Sequence, residues 1–135
     1  MLNVKNEFIK ALNRGYKIFI TGMALGYDMI CAEILLELKK EYKYIKIIGA
    51  LPCRNQECLW PLKEQKRYKS ILGKLDEIRC IYDNYNGSEC MHERNHYMVN
   101  NSSLMIALYN GLPGGTQKTI DFAKKQGLEV VFIRP

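Results

Sequence analysis

Two glycine-built turns and one histidine pair are the places where residue type and spacing in this chain could support chemistry. Thr21-Gly22-Met23-Ala24-Leu25-Gly26-Tyr27-Asp28 follows one apolar run, and Tyr109-Asn110-Gly111 leading to Gly114-Gly115-Thr116 follows another. A glycine turn that opens a helix leaves backbone N–H groups unpartnered in the positive field of the helix dipole, which suits a phosphate. Glycine lets a ligand approach the backbone and permits positive φ. A plain structural turn explains either loop taken singly; two at adjacent strand ends favour an anionic ligand. Neither turn is a G-x-x-x-x-G-K-[ST] phosphate loop or a G-x-G-x-x-G fingerprint, which disfavours an ATPase or a standard dehydrogenase.

His92-Glu93-Arg94-Asn95-His96 matches H-E-x-x-H, in which two histidines one helical turn apart bind zinc and the glutamate is general base. Arg94, however, sets a cation beside that metal, and no second motif marks Asp121 or Glu129 as a third ligand. A solvated polar helix whose histidines fall four apart is the favoured reading, so no metal ligand is assigned. Among the other candidates, Asp28 either complements the helix dipole or contacts a ligand. Gln56 and Trp60 follow the apolar run that Pro52 ends; Trp60 could stack on a base or belong to the core. Arg94 and Asn95 could face the same rim, with Arg94 suited either to a phosphate or to a surface pair with Glu89 or Glu93.

These residues need strands and helices to bring them together, and the chain supplies both in alternation. Val4, Phe8, Ala11 and Leu12 recur at helical spacing before Gly15 offers a stop. Residues 17–21 then form a β-branched and aromatic run. Tyr27, Ile30, Cys31, Ile34, Leu35, Leu38 and Tyr42 make a second apolar stripe. A strand over 45–51 is expected to halt at Pro52, which cannot donate to a ladder. A helix opened by Pro61, a strand over 78–82, a polar helix over 89–101 capped by Ser88, a strand over 104–109, a helix over 117–126 and a strand over 129–133 complete the series. Alternation of this kind predicts a Rossmann-like α/β sandwich with a mainly parallel sheet of about five strands. Ligands in such sheets bind beyond the carboxyl ends of the strands, where both glycine turns fall.

The 135 residues suit one domain, residues 1–135. No apolar run approaches the ~20 residues of a membrane helix, and the start lacks a signal-peptide pattern, so a cytoplasmic protein is expected. Five cysteines without a C-x-x-C pair argue for reduced thiols. The net charge of +6 fits solvated helix faces, or an anionic or nucleic-acid partner. Only Trp60 and scattered tyrosines could stack on bases, and no aromatic–basic alternation favours single-stranded nucleic acid.

Taken together, Ile20 to Asp28, Ala32-Glu33, Leu51-Pro52-Cys53 with Gln56 and Trp60, Tyr68 with Ile71-Leu72, Arg94 to Val99, and Ala107 to Gly111 with Gly114-Gly115-Thr116 resemble the YspA/YpsA-like branch of the SLOG superfamily. That superfamily takes in DNA-processing protein A and the LONELY GUY phosphoribohydrolases. The resemblance implies a Rossmann-like fold and a pocket for a nucleotide or nucleotide-derived ligand; no cofactor is assigned. Thr21, Gly22, Met23, Ala24, Gly26 and Asp28 would lie on one side, with Pro52, Gln56, Trp60, Arg94 and Asn95. Tyr109, Asn110, Gly111, Gly114, Gly115 and Thr116 would form the other phosphate-side turn.

Three departures set this chain apart within the resemblance. Thr119 stands where LONELY GUY enzymes carry a glutamate, and Asn100 and Ser103 stand where relatives commonly carry aspartates. Relatives also usually begin with a strand and a Thr-Gly-His-Arg turn, whereas this sequence opens in a helix. An exposed sheet edge beside the pocket, covered in a homo-oligomer, is the expectation. Ligand sensing is the favoured function; a nucleotide hydrolase, a single-stranded DNA binder and a zinc peptidase are the alternatives.

Overall fold

A computed structural model of the chain describes residues 2–109, 111 and 114–133. The elements alternate as α1 (Leu2–Asn13), β1 (Ile18–Thr21), α2 (Tyr27–Lys39), β2 (Lys46–Cys53), α3 (Leu62–Leu72), β3 (Glu77–Tyr82), α4 (Ser88–Asn100), β4 (Leu104–Leu108), α5 (Gly115–Lys125) and β5 (Glu129–Ile133). The Rossmann-like α/β class expected from the alternation is the class observed, with parallel pairing throughout both sheets.

The apolar stripes build the core. Val4, Phe8 and Leu12 of α1 pack with Cys31, Leu35 and Leu38 of α2 over Ile45, Ile47 and Ile133. Burying each such aliphatic or aromatic side chain stabilises the fold by roughly 1.5–3 kcal/mol. A second cluster joins Met23, Met29, Ala32 and Leu51 to Tyr68 and Ile71 of α3. At the end of α1 the chain turns at Gly15, whose φ of +96° lies in the left-handed region and whose N–H reaches the Leu12 carbonyl at 3.0 Å.

Two local expectations change. β2 continues through Pro52 instead of stopping there. Lys46 N–H bonds the Lys17 carbonyl, so even-numbered β2 residues turn their backbone toward β1. The β1 pairing ends with Thr21 opposite Gly49, so the donor that Pro52 lacks has no acceptor to miss. Ser88 does not cap α4; Gly87 precedes the helix, and Asn86 Oδ1 accepts from Cys90 N–H at 2.8 Å.

The strands do not form one continuous ladder. They fall into a β1-β2-β3 sheet and a β4-β5 pair. Tyr16 and Ser103, which precede β1 and β4, meet through Ser103 Oγ and the Tyr16 hydroxyl at 3.3 Å. β1 and β4 thus stand on either side of a cavity of about 600 Å³, with no backbone pairing between them. This explains why β4, the most apolar strand, has four of its five residues only half-buried.

Candidate functional site

The turn after β1 is held from three directions. Thr21 Oγ1 accepts from Met23 N–H at 3.3 Å and donates to the Asp28 carbonyl at 3.1 Å, closing the turn onto the start of α2. Asp28 Oδ2 accepts from Ala24 N–H at 3.2 Å. Arg94 Nη1, reaching across from α4, donates to the Gly22 carbonyl at 2.6 Å. A Cβ at Gly22 would sit 2.7 Å from Arg94 Nη1 and 2.9 Å from Asp28 Oδ2, so any larger residue there displaces one of these two side chains. Met23 adopts φ +55° although it is wholly buried, a backbone state held only by its surroundings.

Arg94 is 6% exposed. It also donates from Nε to Asn95 Oδ1 at 2.8 Å, so it serves the turn and its own helix instead of a surface pair with Glu89 or Glu93. Burial pushes the Arg94 guanidinium below its usual range, opposed by the Asp28 carboxylate. Burial likewise raises the Asp28 carboxyl, opposed by the Arg94 charge and the Ala24 amide. Each charge is tolerated because the other is near.

A cavity of about 440 Å³ opens at the carboxyl ends of β1 and β4. Ala24, Asp28, Arg94, Asn95, Gly115 and Thr116 all line it, so both glycine turns and the polar helix meet around one space. Gly114 has φ +152° and Gly115 leads α5, whose backbone ladder begins with Lys118 N–H on the Gly114 carbonyl. The leading N–H groups of α5 lack intrahelical partners and lie in the positive end of its dipole. The two turns are not equivalent, because Met23 and Ala24 N–H groups are already occupied from within. Asp28 holds the position at the head of α2 that an incoming anion would otherwise take.

Other candidates lie apart from this space. Gln56 Nε2 donates to the Met23 carbonyl at 3.3 Å and to the Tyr68 hydroxyl at 3.0 Å, bracing the turn from behind. Trp60 packs edge-on against Tyr68 at 5.1 Å, and Pro52 is buried in β2. The Tyr109 hydroxyl contacts Gln117 Oε1, Gly111 is exposed, and Asn110 lies outside the described residues. His96 stacks on Phe122 at 4.1 Å. Among the described residues, no three His, Cys, Asp or Glu side chains form a group able to hold a metal ion. Tyr27, which belongs to the apolar stripe of α2, lines the cavity and donates to the Ile106 carbonyl at 3.3 Å. Its position opposite a strand edge was not readable before the strand order was known.

The model of the YspA SLOG family matches residues 2–130. The chain belongs to the YspA SLOG family. Similar proteins include the uncharacterized SPbeta prophage-derived protein YoqJ of Bacillus subtilis, 35% identical over 93% of this chain and 78% of its own length. A UPF0398 protein of Brevibacillus brevis is 31% identical over 85% of the chain and 62% of its own length. One from Halalkalibacterium halodurans is 26% identical over 90% and 66%. The chain thus spans between about three-fifths and four-fifths of these relatives. In this SLOG chain the matched region takes in every part of the cavity described above, and no helix among the described residues is long and apolar enough to cross a membrane.

Proposed function

We propose that the protein binds a nucleotide-derived small molecule in the cavity between β1, α4 and the head of α5. The observation that carries this reading is the convergence of the buried Arg94, the Asp28 carboxylate and the open head of α5 on one space of about 440 Å³. A phosphate or other anionic end sits at Gly115 and Thr116, whose amides have no intrahelical partner. The polar body of the ligand lies along Ala24, Asp28, Arg94 and Asn95. SLOG membership supports a nucleotide-related ligand. Five unpaired thiols support a reducing, cytoplasmic setting.

A hydrolase is the second reading, and one observation defines it. Asp28 is the only carboxylate lining the cavity among the described residues, and its carboxyl is raised toward the range useful for proton transfer. Thr119 Oγ1 is engaged by the Gly115 carbonyl at 3.0 Å and supplies no such group. Thermal-shift measurement against nucleoside monophosphates, diphosphates and ADP-ribose tests the binding reading. Stabilisation by at least one, lost in Gly115→Asp, is the expected result; no shift with any would refute it. Turnover that disappears in Asp28→Asn while binding persists would favour the hydrolase.

A further inference from the structure

Cys58-Leu59-Trp60-Pro61-Leu62 sets two leucines around a tryptophan, just ahead of the lysine-rich sequence of α3. Trp60 packs inward against Tyr68, whereas the leucines turn out: Leu59 is 94% exposed and Leu62 65%. Leu59 is the most exposed large apolar side chain among the described residues. Hydrogen bonds hold the loop in that state. Cys58 N–H bonds the Asn55 carbonyl at 3.1 Å, and Trp60 N–H bonds the Glu57 carbonyl at 2.9 Å. Gln65 Nε2 donates to the Cys58 carbonyl at 3.2 Å and to the Trp60 carbonyl at 2.9 Å, clamping the backbone on both sides of Leu59.

α3 continues this surface. Its buried side is made by Tyr68 and Ile71. Leu62, Lys66 and Lys69 stand at i, i+4 and i+7 on the opposite side, with Lys63 exposed beside them. Glu64, the only carboxylate of α3, is drawn away to Arg67 at 3.2 Å, and Arg67 also pairs with Glu33 of α2. Lys63, Lys66 and Lys69 enter no ion pair among the described residues. The outer face of α3 is thus three unpaired cations headed by two leucines.

We propose that Leu59 and Leu62, with Lys63, Lys66 and Lys69, dock the protein reversibly on an anionic phospholipid surface. The leucines call for an apolar phase and the lysines for phosphate, and the boundary between headgroups and acyl chains supplies both. Duplex nucleic acid would engage the lysines and leave the leucines in water. A loop can enter the boundary only with its backbone polar groups bonded, and the carbonyls flanking Leu59 are bonded by Gln65. From Leu62 to Lys69 is about 10 Å along α3, so with the leucines inserted all three ammonium groups stay within about one Debye length of the headgroups. The contact is peripheral, since no helix among the described residues is long and apolar enough to cross a membrane. None of the five residues lines the ligand cavity, so this surface is separate from that site.

The test is co-sedimentation of the full chain with vesicles of phosphatidylglycerol and phosphatidylethanolamine in equal parts, set against phosphatidylcholine vesicles and against duplex DNA. Binding to the anionic vesicles that weakens as salt rises, and is at least tenfold weaker on phosphatidylcholine, is the expected result. Replacing Lys63, Lys66 and Lys69 together by glutamine weakens it about a hundredfold, at roughly fivefold for each lysine. Leu59→Ser combined with Leu62→Ser weakens it by about tenfold or more. Both leucines are exposed, so that variant keeps the parent's urea midpoint. Trp60 is the only tryptophan and adjoins Leu59, so lipids brominated on their acyl chains quench its emission in the parent and not in the leucine variant. Three results would each overturn the proposal. They are no binding to the anionic vesicles, binding indifferent to the leucines with duplex DNA bound equally well, and self-association of the chain that the leucine variant abolishes. The second would assign the lysines to nucleic acid, and the third would show that a second copy covers the leucines.

Discussion

The Arg94 guanidinium grips the Gly22 carbonyl at 2.6 Å, joining α4 to the turn after β1 across 72 positions of sequence. That bond fixes the floor of the candidate site and brings a buried cation beside the Asp28 carboxylate. Gly22→Ala forces a Cβ into both side chains, at 2.7 Å from Arg94 Nη1 and 2.9 Å from Asp28 Oδ2. We expect a loss of about 1–3 kcal/mol in urea unfolding, together with weakened ligand binding. An unchanged midpoint would show that the turn does not depend on this contact.

Arg94→Met should expose the cost of burying Asp28 alone. The Asp28 carboxyl is raised above the ordinary aspartate range by burial and held down by Arg94. Without the cation it rises further. A folded-state value above the unfolded one means the folded protein holds its proton longer, so stability falls as pH climbs from about the unfolded value through the raised one. Urea midpoints of the variant should therefore drop more than those of the parent between pH 4 and pH 7; parallel profiles would contradict this.

Asp76 behaves in the opposite sense. Its carboxylate pairs with Lys39 and accepts from Ile47 N–H at 2.8 Å, and the Lys39 bond leads the interactions that hold it below 3.8. Its contribution is present above the unfolded value and is lost as pH falls through the lowered folded value. Acid unfolding of Asp76→Asn should show a shallower loss of stability below pH 4 than the parent. An identical acid profile would remove Asp76 from the account.

Thiol reactivity should divide by burial. Cys58 and Cys80 are exposed, whereas Cys31, Cys53 and Cys90 are buried, and burial pushes the Cys31 thiol up to about 12. Because the thiolate is the reactive form and burial also raises the Cys80 thiol, the native protein should label first at Cys58, more slowly at Cys80, and at all five only when unfolded. Mass spectrometry after brief alkylation reads this directly; fast labelling of Cys31 would contradict the packing of α2 against α1.

How far the sequence reached depended on which interactions are local. The α1 and α2 stripes, Gly15 and the glycine turns announce themselves by spacing and conformational demand, and the elements fall close to their expected limits. Pro52 misled because its effect on a ladder depends on whether a neighbour is still alongside, which is a tertiary fact. Arg94 sits on a polar helix with no apolar stripe to mark its inner face, so its burial beneath Gly22 carried no pattern. Gln56 and Trp60 share a segment with Pro52, yet their partner Tyr68 lies on α3, which places them behind the turn. The division of the strands into two sheets follows from strand order, and no single strand's composition records it.

Amide NMR of the full chain during titration with AMP, ADP and ADP-ribose tests the central claim most directly. Gly115→Asp is the matched control: nothing among the described residues lies within 4 Å of the added Cβ, and a carboxylate at the head of α5 opposes an anion without disturbing the helix. The account predicts shifts concentrated at Ala24, Asp28, Arg94, Asn95, Gly115 and Thr116 with at least one of these ligands, lost in the variant. No shift with any of the three, or shifts elsewhere that Gly115→Asp leaves intact, would contradict it.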